Sequence, residues 1–377
     1  MLTRRTIMSN KIEESASMVV AALANQLKAD GVDVVSLSIG DTHFPLDRAL
    51  QAGISEAMST NRTHYSLAQG EMDLRNAVSR SYKGTYLSDE IIISHGVKNG
   101  LYSYFLATER QSVCAIEPAW LGYKGLCRLA GKNYYGVNRY QNNWLESLKD
   151  SEFDILIICN PNNPDGYVYR DSELQTILEI VKDKGAELLI DEIYKFFSYD
   201  HAVDSMARFR GLKNVVLFDG FSKSHAMTGL RVGYIASKNE SLCQQIIKVQ
   251  QNTITCVNTI SQYGLSQINE LDRVVSGYAA YYEKNRSLVS EIIPELLPFT
   301  PAGGFYYFFD LGLLGIKLDA KDFCTGLLEH EAVALIPGGA YGSGFDDYVR
   351  LSFCVDTEEL KKGLNRLNSY IEKCKEL

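Results

Sequence analysis

Residues 218–234 read FDGFSKSHAMTGLRVGY and place one lysine, Lys223, between Ser222 and Ser224, after an apolar run and ahead of a glycine-arginine-glycine cluster. A lysine in that position is a solvated surface residue, a phosphate ligand or a nucleophile. A P-loop needs G-x-x-x-x-G-K-[ST], which this chain lacks, and no G-x-G-x-x-G follows a strand-like run. A serine nucleophile of the S-x-x-K kind also fails, because Gly220 stands three residues before the lysine. The remaining reading draws on other parts of the chain. Asp191 and Tyr194 lie in DEIY, Asn163 in NPNNPDG, and Arg231 eight residues after Lys223. An amine, a carboxylate, an amide, a phenol and a guanidinium together suit a Schiff base with an aldehyde that carries a pyridine ring, a phenolic oxygen and a phosphate. The carboxylate would pair with the protonated ring nitrogen, the amide and phenol with the ring oxygen, and the guanidinium and a glycine-opened helix start with the phosphate. Pyridoxal 5'-phosphate is the cofactor with those parts.

Such residues need strand ends to hold them, and the chain supplies candidates. EIIISHG, SVCAIEP, KNYYGV, DILIICNPNNP, AELLIDEIY, NVVLFDGFS and RVGYIAS are short, apolar and without strict alternation, and they are separated by helix-length amphipathic segments. Strands buried on both faces have that character, so a mostly parallel sheet between helices is expected, with ligands at its carboxyl ends. From about residue 290 the pattern changes to PFTPAGGFYYFFDL, EAVALIPGGAYG and YVRLSFCV, interleaved with helical segments. This predicts a smaller α+β domain, on which the arm through DVVSLSIGD packs. The expected divisions are an arm at 1–45, a large domain at 46–289 and a small domain at 290–377.

The 377 residues carry a net charge of -8, 46% hydrophobic and 22% charged residues, which describes an ordinary globular chain without the basic field that draws nucleic acid or anionic membrane. A small molecule is therefore the expected partner. Eight cysteines, none in a C-x-x-C, point to free thiols in a reducing cytoplasm. Arg4, Arg5 and Lys11 precede the apolar residues 18–24, but that run is short and interrupted upstream by Glu13 and Glu14, so a helix closed by Gly31 is expected rather than a signal peptide.

Taken in order, LSIGDTHFP, THYSLAQGEMDLRNAV, IISHGVKNG, EPAWLGY, NPNNPDG, DEIY, FSKSHAMTGLRVGY, GGFYYFFDL and YVRLSF resemble the motifs of fold-type I pyridoxal-phosphate enzymes of the class I/II aminotransferase group, over nearly the whole chain. The resemblance implies a large domain with a seven-stranded, mostly parallel sheet and a smaller α+β domain. It implies that Lys223 holds the cofactor and moves the substrate's α-proton, and that Asp191 keeps the pyridine nitrogen protonated. By the same resemblance Asn163 and Tyr194 contact the phenolic oxygen and Trp120 stacks on the ring. Gly96, Val97 and Lys98 offer backbone N–H groups to the phosphate, and Arg231 a charge. Arg350 would clamp the substrate carboxylate beside Asn163 and the backbone at Gly40, and Tyr65 would reach the phosphate of a neighbouring subunit, giving a homodimer.

Two departures stand out. Gly220 replaces the usual hydroxyl residue three before the lysine, leaving Ser222 and Ser224 as the nearby hydroxyls, of which Ser222 is assigned to the cofactor site. His43 in GDTHFP would place a titratable group over the cofactor. Transamination between an L-amino acid and a 2-oxo acid is the expected reaction. The alternatives are a pyridoxal-phosphate oxidase acting on arginine, suggested by Asp41 with His43 and by acidic Glu13, Glu14 and Asp41, and a β-lyase.

Overall fold

The structure, a computed structural model, describes residues 16–199, 206–268, 270–271 and 275–376. The strands in chain order are β1 (Val35–Ser36), β2 (Ile91–Ser94), β3 (Ser112–Glu117), β4 (Asn133–Asn138), β5 (Ile155–Cys159), β6 (Glu187–Asp191), β7 (Val215–Gly220), β8 (Gly233–Ser237), β9 (Tyr306–Asp310), β10 (Val333–Ala334), β11 (Ile336–Pro337) and β12 (Tyr348–Ser352). The seven apolar runs picked out above become one seven-stranded sheet, in the order β2-β8-β7-β6-β5-β3-β4. Strands β3 to β7 run parallel, and β8 pairs antiparallel with both β7 and β2.

Every residue of β5, β6, β7 and β8 is buried. One apolar cluster, containing Leu101, Tyr104, Leu189 and Phe218, covers one face; two others, around Ile158 and Ile190 and around Leu217 and Tyr234, cover the opposite face. Burial on both sides is the reason these strands lack the alternation of a half-exposed sheet. Strand order turns back between β3 and β5, since β4 lies outside β3 while β6 and β7 follow β5. A crevice forms at the carboxyl ends of strands beside such a switch.

The second unit is built on β9, β11 and β12, an antiparallel trio in which Arg350 of β12 faces Phe308 of β9 and Ile336 of β11 in register. Strand β1 pairs parallel with β10, which ties this part of the arm to β10. The first helix runs Ala16–Ala29 and ends where Gly31 takes φ +87°. Helices Ala320–Glu331 and Thr357–Lys375 pack Phe323, Leu327, Leu364 and Leu367 into this unit's core. We keep the 289/290 division as a proposal; helix Ser276–Ile292 crosses it and places Tyr282 and Val289 in the same core. Among the described residues no helix is long and apolar enough to cross a membrane.

One close contact fixes the end of β7. Gly220 faces Gly233 of β8, and a Cβ at Gly220 would lie 2.8 Å from the Gly233 Cα and 3.0 Å from the Val232 carbonyl oxygen. A Cβ at Gly233 would in turn lie 2.9 Å from the backbone of Gly96 and Val97. The absence of a hydroxyl residue at position 220 thus has a steric cause: three backbone segments meet there. Gly220→Ser is expected to lower stability by about 1–3 kcal/mol, read from urea unfolding; a variant as stable as the parent would contradict this packing.

Candidate active site

Lys223 follows β7, and its half-buried side chain enters a cleft of about 490 Å³ at the carboxyl ends of the sheet. Its Nζ donates to the Gly40 carbonyl at 2.6 Å, so the arm supplies one wall. Asp191, the last residue of β6, lines the same cleft and is buried. Its carboxylate accepts from the Tyr123 hydroxyl at 2.9 Å and the Ile193 N–H at 3.2 Å. Burial pushes its pKa up to about 7, against the lowering effect of those two donors; the negative charges of Asp219 and Glu192 add to the rise. Among the described residues it has no ion-pair partner.

The second wall is polar and comes from both units. Asn163 donates from Nδ2 to the Tyr194 hydroxyl at 3.3 Å and accepts at Oδ1 from Arg350 Nη1 at 3.1 Å. Burial holds the Tyr194 phenol well above the ordinary tyrosine range, so it keeps its proton and remains a donor. The Tyr194 and Tyr306 hydroxyls are 3.0 Å apart. Arg350 is buried, donates from Nη2 to the Ser38 carbonyl, and lies 4.2 Å above the Tyr306 ring centroid and 5.1 Å from that of Tyr341. Its Nε has no hydrogen-bond partner, and among the described residues no carboxylate pairs with it. Gly40 also packs here, where a Cβ would fall 2.0 Å from the Tyr306 hydroxyl oxygen.

The third end is built for an anion. Helix Gly96–Ala107 opens on Gly96, whose φ of +75° suits glycine, and the first N–H groups of a helix have no partner within it. A Cβ on Gly96 would lie 2.5 Å from Arg231 Nη2, so the bare residue lets the guanidinium approach the helix start. Arg231 donates from Nη1 to the Thr228 carbonyl at 2.8 Å and reaches Ser222 Oγ at 3.5 Å. Val97, Lys98, Trp120 and Ser222 also line the cleft. Lys98 Nζ lies 5.4 Å from the Trp120 ring centroid, and Trp120 sits edge-on to Tyr123. Ser224 turns away, bonding to the Gly220 carbonyl and to His225 Nδ1.

Two assigned residues are not brought into this cleft. His43 is exposed and lies against the rings of Phe44 and Tyr281, with Nδ1 3.2 Å from the Tyr282 hydroxyl. It lines a separate groove with Asp41 and Asp356. The structure therefore does not bring His43 into the cleft: its imidazole packs on the aromatic face of helix Ser276–Ile292, and desolvation there lowers its pKa. Tyr65 is 89% exposed, outside the cleft. Asp41 accepts from the Thr228 hydroxyl at 2.7 Å, and Glu13 and Glu14 lie outside the described residues. Two contributors were missed, Tyr123 and Tyr306. Tyr123 stands three residues after Trp120, a spacing that puts both on one side of a helical turn and could have revealed it. Tyr306 carried no such signal among its aromatic neighbours.

These residues fit pyridoxal phosphate on the structure's own terms. A buried carboxylate without a cation suits a pyridinium N–H, a helix start beside a guanidinium suits a phosphate, and a buried Arg350 with a free Nε suits a carboxylate. Residues 32–367 match the family model described as aminotransferase class I and II. Aspartate aminotransferase from Thermotoga maritima is 30% identical, with the match covering 98% of this chain and 99% of that protein. The (5-formylfuran-3-yl)methyl phosphate transaminase of Methanocaldococcus jannaschii is also 30% identical, over 99% and 100%. The crystal structure of the Thermotoga maritima aspartate aminotransferase is similar with a TM-score of 0.86 at 28% identity, covering 96% of this chain and 98% of that one. The architecture is thus that of the fold-type I enzymes, and the chain belongs to the class I and II aminotransferase family. It is a pyridoxal-phosphate-dependent aminotransferase, working between amino acids and 2-oxo acids.

The state of Asp191 can be read from stability. Its carboxyl titrates near 7 when folded, against an ordinary value of 3.8. Below about pH 3 it is neutral in both states and costs nothing; as pH rises through 3.8 toward 7 the folded state alone retains the proton, so the apoprotein loses up to about 4 kcal/mol over that window. Asp191→Asn apoprotein is expected to match the parent at about pH 3 and exceed its stability at about pH 8 in urea unfolding. An Asn variant less stable than the parent at pH 8 would contradict the buried, unpaired carboxylate.

Proposed function

We propose that Lys223 carries the cofactor as a Schiff base and serves as the proton carrier in transfer of an amino group from an L-amino acid to a 2-oxo acid. The single observation behind this is the convergence of Lys223 with an Asp191 carboxylate that has no cationic partner, in one cleft. When bound, pyridoxal phosphate supplies an aldehyde that condenses with amines and a protonated ring that withdraws electrons from bonds at the substrate α-carbon. Asp191 would hold a proton at the ring nitrogen, since a carboxylate in a dry site gains most from a cationic partner. Tyr194 and Asn163 would donate to the ring oxygen, and Trp120 would pack against the ring. Arg231, with Ser222 and the N–H groups of Gly96, Val97 and Lys98, would hold the phosphate. Arg350 takes the substrate α-carboxylate through its free edge, beside Asn163 and the Gly40 backbone, and so turns the α-hydrogen toward Lys223 Nζ. The unprotonated Lys223 amine would be the base that removes the α-proton and the acid that gives it back at the carbon on the far side of the transferred nitrogen.

We also propose a cytoplasmic homodimer. Tyr65, Leu67, Met58 and Met72 are large and exposed, between 45% and 89%, and a second copy would cover them and receive Tyr65. The eight free cysteines are consistent with a reducing compartment. The oxidase reading loses the His43 part of its motive, since that residue lies outside the cleft.

Mixed with an L-amino acid in air and no oxo acid, the holoenzyme is expected to lose its visible absorption band, form one equivalent of oxo acid and consume no oxygen. Steady oxygen uptake would overturn the proposal. Arg350→Lys, which cannot make a two-pronged carboxylate contact, is expected to raise KM about 10–100-fold with a smaller effect on kcat. His43→Ala should leave kcat/KM within about threefold; a larger loss would return His43 to the mechanism.

A further inference from the structure

Behind the cleft lies a buried ionic cluster with no role in holding cofactor or substrate. Glu192 follows Asp191 directly, and Asp219 stands four residues before Lys223; the two are buried, and the Glu192 N–H donates to the Phe218 carbonyl at 2.8 Å. Arg210 grips Glu192 with one nitrogen at 2.7 and 2.9 Å from its two oxygens. Lys195 sits 2.7 Å from Asp219 Oδ2, with its Nζ 3.0 Å from the Tyr82 hydroxyl. Tyr234 donates to Asp219 at 2.6 Å, and Tyr82 reaches both carboxylates at 3.2 and 3.3 Å. Among the described residues, two anions thus meet two cations around two phenols, and their charges balance. Asp191 points to the other side, toward Tyr123.

The neutrality matters because Asp191 feels both carboxylates: their charges are among the causes that raise its pKa, after burial. Three carboxylates at the ends of two adjacent strands, with the cations removed, would repel one another in a low-dielectric site. Lys195 is the exchangeable member, its side chain 18% exposed against 10% for Arg210.

We propose that Lys195, through its pair with Asp219, is a positioning residue that keeps Asp191 anionic and thereby leaves the shared proton on the cofactor's ring nitrogen. The inference rests on the reading that Asp191 faces that nitrogen. Without Lys195, Asp219 is an uncompensated buried anion, and a proton between Asp191 and the ring moves toward Asp191, the member held nearer the added negative charge. The pair also acts at a second point, since Asp219 Oδ1 accepts from the Gly220 N–H at 2.6 Å in the backbone leading to Lys223.

The test is the dissociation constant of pyridoxal phosphate, measured by fluorescence quenching, with inorganic phosphate as a competing probe of the anion end alone. Lys195→Met is expected to weaken pyridoxal phosphate about tenfold and leave the inhibition constant of phosphate unchanged. Lys195→Arg, which keeps the charge, should bind as the parent does. The double variant Lys195→Met with Asp219→Asn removes one charge of each sign and should return affinity to within about threefold of the parent. A single Met variant that binds like the parent, a double variant as weak as the single, or equal loss of phosphate affinity would overturn the proposal. Asp191→Asn separates the two readings: if it binds pyridoxal phosphate as tightly as the parent, the assignment of Asp191 itself has failed, whereas its weakening alongside an unaffected Lys195→Met sinks only the role of Lys195.

Discussion

The site depends on charges that are buried but not allowed to meet. Among the described residues neither Asp191 nor Arg350, both buried in the cleft, has an ion-pair partner. An isolated charge in such surroundings is costly, and pairing the two would be the cheapest relief. The fold prevents it by anchoring Asp191 through Tyr123 at the end of β6 and Arg350 through Ser38 and Asn163 on β12. In the proposed reading two guests supply what the scaffold withholds, a pyridinium N–H at Asp191 and a substrate carboxylate at Arg350.

The same constraint explains the joint between the two units. Asn163 and Tyr194 lie in the loops after β5 and β6, Tyr306 and Arg350 on the smaller sheet, and the Tyr194–Tyr306 and Arg350–Asn163 hydrogen bonds cross from one to the other. Lys223 bonds to the arm at Gly40, whose close approach to Tyr306 leaves no room for a side chain. Under the proposed roles, substrate recognition and cofactor contact share this boundary, and a displacement of the small unit would be felt at Asn163 and Tyr194. The neutral cluster around Glu192 and Asp219 supports the rear of this arrangement, where the two central strands end.

Much of this was legible in the sequence, for a physical reason. Strands buried on both faces must be apolar throughout, so the central runs declared the large sheet, and the residues just after them the cleft, while KNYYGV became the half-exposed edge strand β4. Lys223, Asp191, Asn163, Tyr194, Arg231 and Arg350 all arrive in one place because strand ends and the loops behind them leave a side chain few directions to take. Where geometry depends on distant neighbours, the reading was weaker. His43 lies three residues from Gly40, yet Phe44, Tyr281 and Tyr282 hold it elsewhere. Tyr306 is one of several adjacent aromatics, and only pairing with β12 and contact with Gly40 give it a role. Gly220 looked like a missing hydroxyl, and the reason for it was the backbone of β8, invisible along the chain.

The most direct measurement of the central claim is to load the protein with pyridoxal phosphate, reduce it with borohydride, digest it and locate the modified residue by mass spectrometry. The account predicts stoichiometric labelling at Lys223 alone. Labelling at Lys98 or Lys195 instead, or no stable label at all, would contradict it.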